Sequence, residues 1–311
     1  MKFNYPTIEP FNFLGLDQQD YSSAKVVVFP VPYNSTTYWK SGTKEGPQAI
    51  IDASRHIELY DTDNKKAINQ ESIFTLESLE PSKNSPRETI TRIQEAVEQI
   101  IKDGKVPLML GGEHSISLGA VLALHQKFSD LSVLQIDAHS DLRDEFQGTK
   151  YHHACIIKRI RDLNIPATQV GIRSVSKEEA DYIEENKIKS VFYAPKLPIN
   201  EIIDSLSKNV YITFDLDGLD PSIMPSTGTP EPGGLGWYEA VNLIKDIAEK
   251  RNIVGADVVE LDPIPGLVAP DFLAAKLAYK IIQNILVSQA RESTKHALKI
   301  TKKRSLVKTK S

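Results

Sequence analysis

The sequence predicts an α/β domain of three layers, α/β/α, around a parallel sheet. Apolar, β-branched runs alternate with helical patterns along the chain, and those runs are continuously apolar, as strands covered on both faces require. No segment has the length or composition of an interdomain linker, and no internal repeat is present. With 311 residues and 41% hydrophobic content, there is ample material for one large core.

In chain order, strands are expected at 25–30, 105–110, 131–137, 168–172, 189–193, 209–215 and 253–259. Helices are expected near 87–103, 115–128, 153–163, 176–186, 198–207, 236–250 and 270–289. Ser85-Pro86 supplies an N-cap and a first-turn proline for the helix at 87–103, and Ser176 with Glu179 three residues later forms a capping box. Loops rich in Gly and Pro fall at 30–47, 80–86, 218–236 and 262–270. In a parallel sheet of this kind, ligands bind outside the carboxyl ends of the strands.

The formal charge of −4 is unevenly placed. Residues 291–311 hold eight Lys or Arg against one Glu, a net of +7, so residues 1–290 carry about −11 by subtraction. A body of that sign suits metal cations or cationic substrates and disfavours nucleic acid. The chain therefore divides into a main domain at 1–290 and a basic C-terminal tail at 291–311, expected to be flexible. Cys155 is the only cysteine, which rules out an intrachain disulfide and fits a reducing compartment; beside His153 it reads as a packing residue. Met1-Lys2-Phe3-Asn4-Tyr5-Pro6 lacks a signal-peptide run and no stretch approaches membrane-spanning length, so a cytoplasmic location is expected.

Two acidic clusters stand at strand exits, Asp137-Ala138-His139-Ser140-Asp141 and Asp215-Leu216-Asp217. Their polar residues are two apart, which on an extended chain puts them on one face. Carboxylates converging in this way repel one another and protonate unless a cation neutralises them. A third element, Gly111-Gly112-Glu113-His114-Ser115, carries His114 at a strand-to-helix turn. Taken singly, an Asp-X-Asp at a strand end is mostly a cap or solvated turn, and a lone His after Gly-Gly is mostly structural. Three such elements at three strand ends are poorly explained by coincidence. The pool of His114, Asp137, His139, Asp141, Asp215 and Asp217 is too large for one structural zinc ion, and it suits two hard divalent ions, with Mn²⁺ the best fit. Two such ions at about 3.5–4 Å can hold a bridging hydroxide as a nucleophile.

These motifs, together with Phe214-Asp215-Leu216-Asp217-Gly218-Leu219-Asp220-Pro221 and Asp257-Val258-Val259-Glu260-Leu261-Asp262-Pro263, resemble the signatures of the ureohydrolase family in the same order. That family comprises arginases, agmatinases and relatives, and the similarity runs from about Val28 to about residue 290. It includes Gly42-Thr43-Lys44-Glu45-Gly46-Pro47 and Thr227-Gly228-Thr229-Pro230-Glu231. The resemblance implies an arginase-like, roughly eight-stranded parallel sheet, two Mn²⁺ per subunit and assembly as a homotrimer or homohexamer. It implies that Asp137 and Asp215 bridge the ions and that Asp141 also handles a proton. His153 matches the family's substrate-facing histidine, and Glu260 matches its guanidinium-binding glutamate. Chemically, a guanidinium carbon resists attack, Glu260 supplies an opposing charge and bidentate acceptor, and a histidine titrating near neutrality can shuttle a proton.

The segment Leu142-Arg143-Asp144-Glu145-Phe146-Gln147-Gly148 is the discriminating one. It lacks the Asn- and Ser-bearing loop of arginases and resembles the corresponding loop of microbial agmatinases, which implies hydrolysis of agmatine, a small cationic guanidino substrate, to putrescine and urea. Asp144 and Glu145 are candidates to attract its cationic tail. Arg143 leaves room for an acidic compound such as 4-guanidinobutyrate. The alternatives are another ureohydrolase (guanidinobutyrase, arginase or guanidine hydrolase) or a non-catalytic binding protein that uses the basic tail.

Overall fold

The computed structural model describes residues 8–308 except 64, with side chains described as far as residue 295. Among the described residues ten strands form in chain order: β1 (Val26–Val31), β2 (Tyr60–Asp61), β3 (Lys66–Ala67), β4 (Ile73–Thr75), β5 (Val106–Gly111), β6 (Leu131–Ile136), β7 (Ala167–Ile172), β8 (Val191–Tyr193), β9 (Asn209–Asp215) and β10 (Asn252–Val259). Eight of them make one sheet in the order β4-β1-β5-β10-β9-β6-β7-β8, with every pairing parallel. The continuously apolar runs are thus buried strands of a parallel sheet, as the sequence predicts. β5, β6 and β7 are buried at every residue.

Among the described residues eight α-helices cover the sheet: α1 (Gly46–Ser54), α2 (Pro86–Lys102), α3 (Ser117–Lys127), α4 (Ile156–Asp162), α5 (Lys177–Glu185), α6 (Ile199–Asp204), α7 (Trp237–Lys250) and α8 (Val268–Lys308). The period of two along β1 sorts the core into two layers. Val26 and Val28 pack with Ile50 of α1, Ile202 of α6, Ile244 of α7 and Leu277 of α8. Val27 and Phe29 pack with Ile93 of α2, Val121 of α3 and Ile160 of α4. Both helix starts foreseen from the sequence form. The Ser85 side chain accepts from Glu88 N–H, and Ser176 with Glu179 makes a reciprocal capping box.

Three elements escape the sequence reading. β4 is a three-residue edge strand beside β1, too short to show a period. β2 and β3 form a small antiparallel ribbon of two residues each. α1 begins inside the expected 30–47 loop, where Pro47 occupies its first turn. The boundary expected at residue 290 falls inside α8, because no Gly or Pro follows Pro270 to stop that helix. Arg291 donates to the carbonyls of Ala248 and Arg251, both at 2.7 Å, tying this turn to the body. Residues 309–311 lie outside the described part. Among the described residues no helix is long and apolar enough to cross a membrane.

Candidate metal centre and active site

Four neighbouring central strands, β5, β10, β9 and β6, deliver the site from their carboxyl ends. β5 runs through Gly111-Gly112 into a 3₁₀ turn bearing His114. A Cβ on Gly112 would lie 1.8 Å from the Tyr33 carbonyl oxygen, so only glycine lets the two backbones approach this closely. Asp137 follows β6 directly, Asp215 closes β9, Asp217 sits in the next 3₁₀ turn, and Glu260 follows β10. Asp141 (φ 50°) and Glu260 (φ 66°) hold left-handed backbone that costs a non-glycine residue about 1–2 kcal/mol, with the surrounding fold bearing the strain.

All six sequence-predicted ligands come together in two linked groups. His114 Nδ1 lies 3.1 Å from Asp137 Oδ2, 3.1 Å from Asp141 Oδ2 and 3.3 Å from Asp215 Oδ2. His139 Nδ1 lies 2.9 Å from Asp217 Oδ2 and 3.6 Å from Asp137 Oδ1. Asp137 therefore presents one oxygen to each histidine, which is the geometry of a bridging carboxylate. Asp215, expected to bridge as well, turns Oδ2 toward His114, and its Oδ1 accepts from Asp217 N–H at 2.9 Å.

The donor set fits divalent cations on a test internal to the structure. His114 Nε2 faces the Thr213 hydroxyl at 2.8 Å, and that hydroxyl donates to Asp257 Oδ1 at 2.7 Å. The Thr213 proton is thus committed to Asp257, so Nε2 carries the imidazole proton and Nδ1 is left with a lone pair. Nδ1 is fully buried without a hydrogen-bond partner and points at three carboxylate oxygens. A lone pair aimed at anions calls for a positive charge between them, a proton on Nδ1 in metal-free protein or a metal ion when one is bound. Ligand atoms of His114, Asp137 and Asp141, and of Asp137, His139 and Asp217, each lie within 4.8 Å of one another.

The electrostatics of the protein alone describe the same need. Burial, reinforced by the Asp137 charge, pushes Asp141 up to about 7. Burial and neighbouring carboxylates also raise Asp215, Asp217 and Glu260. Burial acts against ionised Asp137 too, but His114 and His139 outweigh it and lower this carboxyl. The same two histidines are raised despite burial, because carboxylates surround them.

These shifts set the pH dependence of metal-free protein. A carboxyl raised in the fold contributes stability below its ordinary value and loses it as pH climbs through the raised one, which for Asp141 spans 3.8 to about 7. His114 and His139, raised from 6.5, likewise lose their contribution above that value. His152 and His153 are lowered to about 4 and about 3, so they favour the fold as pH rises through 6.5. Those two oppose the larger group of four carboxyls and two histidines. Metal-free protein is expected to melt at a higher temperature at pH 5 than at pH 8, and added Mn²⁺ should raise the midpoint more at pH 8. An equal or larger rise at pH 5, read by calorimetry, would contradict this account.

Above the ligands lies a cavity of about 510 Å³, within the usual range for small-molecule sites. Glu260 and His153, the two residues assigned by resemblance, both line it. Glu260 Oε1 accepts from His114 N–H at 2.6 Å, and among the described residues no donor reaches its other oxygen. His153 differs from expectation in its protonation. Burial, then the neighbouring His152, pushes it down to about 3, so it is a neutral imidazole throughout the physiological range. A nearby cation would lower it further.

Asp144 and Glu145 are not brought into this cavity. Both are exposed, and Asp144 pairs outside with Arg159 at 2.5 Å and Lys150 at 3.3 Å. From the same segment, Arg143 and Phe146 turn inward instead, with the Arg143 guanidinium 4.8 Å from the Phe146 ring. The chain direction through Asp141 decides which side chains of the loop face the cavity, and sequence spacing does not reveal it.

Several functional side chains were missed. Gln135 donates to Asp137 Oδ2 at 2.7 Å, and Thr213 and Asp257 orient His114. Their signal was available, since 135 and 213 extend the two-residue spacing of each cluster back into its strand. Arg173 had no such signal. Its guanidinium donates to the carbonyls of Asp217 at 2.6 Å and Glu231 at 2.7 Å, fastening the 228–231 wall of the cavity to the metal-ligand turn.

A family model described as the arginase family matches residues 24–284. The chain is 39% identical over 274 residues to an N(1)-aminopropylagmatine ureohydrolase of Synechocystis sp., covering 84% of this chain and 89% of that one. It is 32% identical over 252 residues to an agmatinase of Halalkalibacterium halodurans, covering 80% and 87%. The crystal structure of an agmatine ureohydrolase of Thermoplasma volcanium superposes with a TM-score of 0.81 at 34% identity, covering 93% of this chain and 97% of that one. The chain belongs to the arginase family and is a ureohydrolase, a hydrolase of the agmatinase type built on the arginase fold.

Proposed function

We propose that this chain hydrolyses agmatine to putrescine and urea at a centre of two manganese ions. The observation that carries the reading is the shared Asp137 carboxylate between two histidine-bearing groups, beneath a cavity that also holds Glu260. His114, Asp137, Asp141 and Asp215 would hold one ion, and Asp137, His139 and Asp217 the other; the oxygen-rich set favours Mn²⁺. When bound, such a pair supplies an activated water at neutral pH.

The protein's own residues supply the rest. Glu260, held by the His114 amide, presents its remaining oxygen to the cationic guanidinium and fixes the carbon over the ligand cluster. Asp141 accepts a proton from the water and returns it to the departing amine, which cannot leave as an anion. Neutral His153 serves as a hydrogen-bonding group on the substrate side, a role that needs no change of charge. Water adds to the guanidinium carbon, the C–N bond to the alkyl amine breaks, and urea and putrescine result.

A second reading, hydrolysis of N(1)-aminopropylagmatine, is favoured by the name of the Synechocystis relative and by a cavity whose lining also includes Tyr38, Trp39, Phe146 and Glu231. Urea release from Mn²⁺-loaded protein, measured across agmatine, N(1)-aminopropylagmatine, arginine, 4-guanidinobutyrate and guanidine, separates these. We expect agmatine to be hydrolysed with kcat/KM at least about tenfold above arginine, a difference of about 1.4 kcal/mol. No urea from agmatine while another compound turns over would overturn the first reading.

A further inference from the structure

The side of the cavity facing the metal ligands is not part of the sheet. It is carried by the 34–41 loop, which contributes Thr37, Tyr38, Trp39 and Lys40, and by the turn bearing His153. Both must be held at a fixed distance from ligands that stand on the strands.

Glu113 makes that connection. It directly precedes His114, yet its fully buried carboxylate engages the loop and its own turn. Oε2 accepts from Thr36 N–H at 2.6 Å, and Oε1 accepts from the Thr36 hydroxyl and from the Ser115 hydroxyl, the latter at 2.5 Å. Glu113 N–H in turn donates to the Tyr33 carbonyl at 2.8 Å, beside the close approach that Gly112 permits. The Thr36 hydroxyl has one proton, which goes to Glu113, so its lone pairs are free to accept. One of them accepts from His153 N–H at 3.2 Å. A single buried carboxylate thus orients the start of the loop, and through the Thr36 hydroxyl it also orients the histidine turn, 117 residues from Thr36 in the chain. Among the described residues no cation pairs with Glu113, so its hydrogen bonds alone hold it in place.

We propose that Glu113 and Thr36 are positioning residues that hold the substrate side of the cavity, His153 and the Tyr38-Trp39 segment, in register with the metal side. Neither touches the ions or the reacting carbon. The kinetic part of the proposal rests on the ureohydrolase reading; the geometric part does not.

The test uses the full chain loaded with Mn²⁺ and two substitutions, Thr36→Val, which removes the hydroxyl at nearly constant volume, and Thr36→Ser, which restores it. With whichever guanidino compound the unaltered protein hydrolyses, Thr36→Val should lower kcat/KM by roughly tenfold to a hundredfold, as expected for a misplaced reacting group, with metal content unchanged. Thr36→Ser should stay within about threefold of the unaltered chain. Trp39 and Trp237 are the only tryptophans, so a Trp237→Phe background isolates Trp39 as a reporter. Time-resolved fluorescence anisotropy should show wider local motion of Trp39 in Thr36→Val and not in Thr36→Ser. If Thr36→Val folds poorly, Glu113→Gln, which keeps the size and reverses one acceptor, replaces it with the same expectations. Unchanged kcat/KM with unchanged Trp39 motion overturns the proposal, as does loss of metal in Thr36→Val or failure of Thr36→Ser to restore activity. Should the unaltered protein release urea from none of the five compounds, the functional reading fails, while the Trp39 measurement still decides the proposal.

Discussion

Asp137→Ala is expected to abolish metal loading and urea release together. Among the described residues Asp137 is the one carboxylate whose two oxygens face both histidines, so its removal opens both groups at once. It also deletes the acceptor for His139 N–H at 2.6 Å, which fixes the turn carrying the second group. Metal per chain, read by atomic emission after dialysis, should fall from about two to below one, and activity should drop by roughly a thousandfold or more, about 4 kcal/mol of transition-state stabilisation. Asp137→Asn keeps the volume and one acceptor oxygen, so it distinguishes lost charge from lost packing. It should fold normally and still lose most of its metal. Full turnover in either variant would refute a two-ion centre bridged by this residue.

Glu260→Gln is expected to separate substrate binding from metal binding. The amide keeps the shape and can still accept from His114 N–H, so the turn after β10 and the metal content should be preserved. What it loses is the negative charge opposite the guanidinium, and with its carbonyl oxygen kept for His114 N–H it turns an amide donor toward that cation. A fall in kcat/KM of about a hundredfold to a thousandfold, roughly 3–4 kcal/mol, should appear with metal per chain unchanged. If activity is retained, or if metal is lost instead, Glu260 is a support of the His114 turn, and the guanidinium is held elsewhere.

The two substitutions fall on residues of contrasting legibility. Asp137 stands out in the sequence because its partners are two residues away on either side, and an extended chain turns that spacing into a shared face. Glu260 shows no such spacing and was found by resemblance. Its position became physically intelligible only when β10 was seen between β5 and β9, with the His114 amide 146 residues away holding one of its oxygens. His153, likewise assigned by resemblance, lines the cavity, but its charge state is not legible in the sequence. A histidine reads as a group titrating near neutrality until its burial is known, and here burial keeps it neutral.

What the sequence by itself determined was the parallel sheet, most of its strands and the six His and Asp residues that converge at their ends. These are encoded by short-range periodicity, in continuous apolar runs and in polar residues two apart where the runs end. Tertiary structure decided the rest of the site. It turned Arg143 and Phe146 inward and Asp144 and Glu145 outward, recruited Thr36 to Glu113 from 77 residues away, and gave Arg173 the carbonyls of two separate loops. The physical reason is that a metal ligand set can be written on strand ends that the sheet brings together. The substrate wall is built from loops, whose side-chain directions are fixed only by hydrogen bonds between distant parts of the chain.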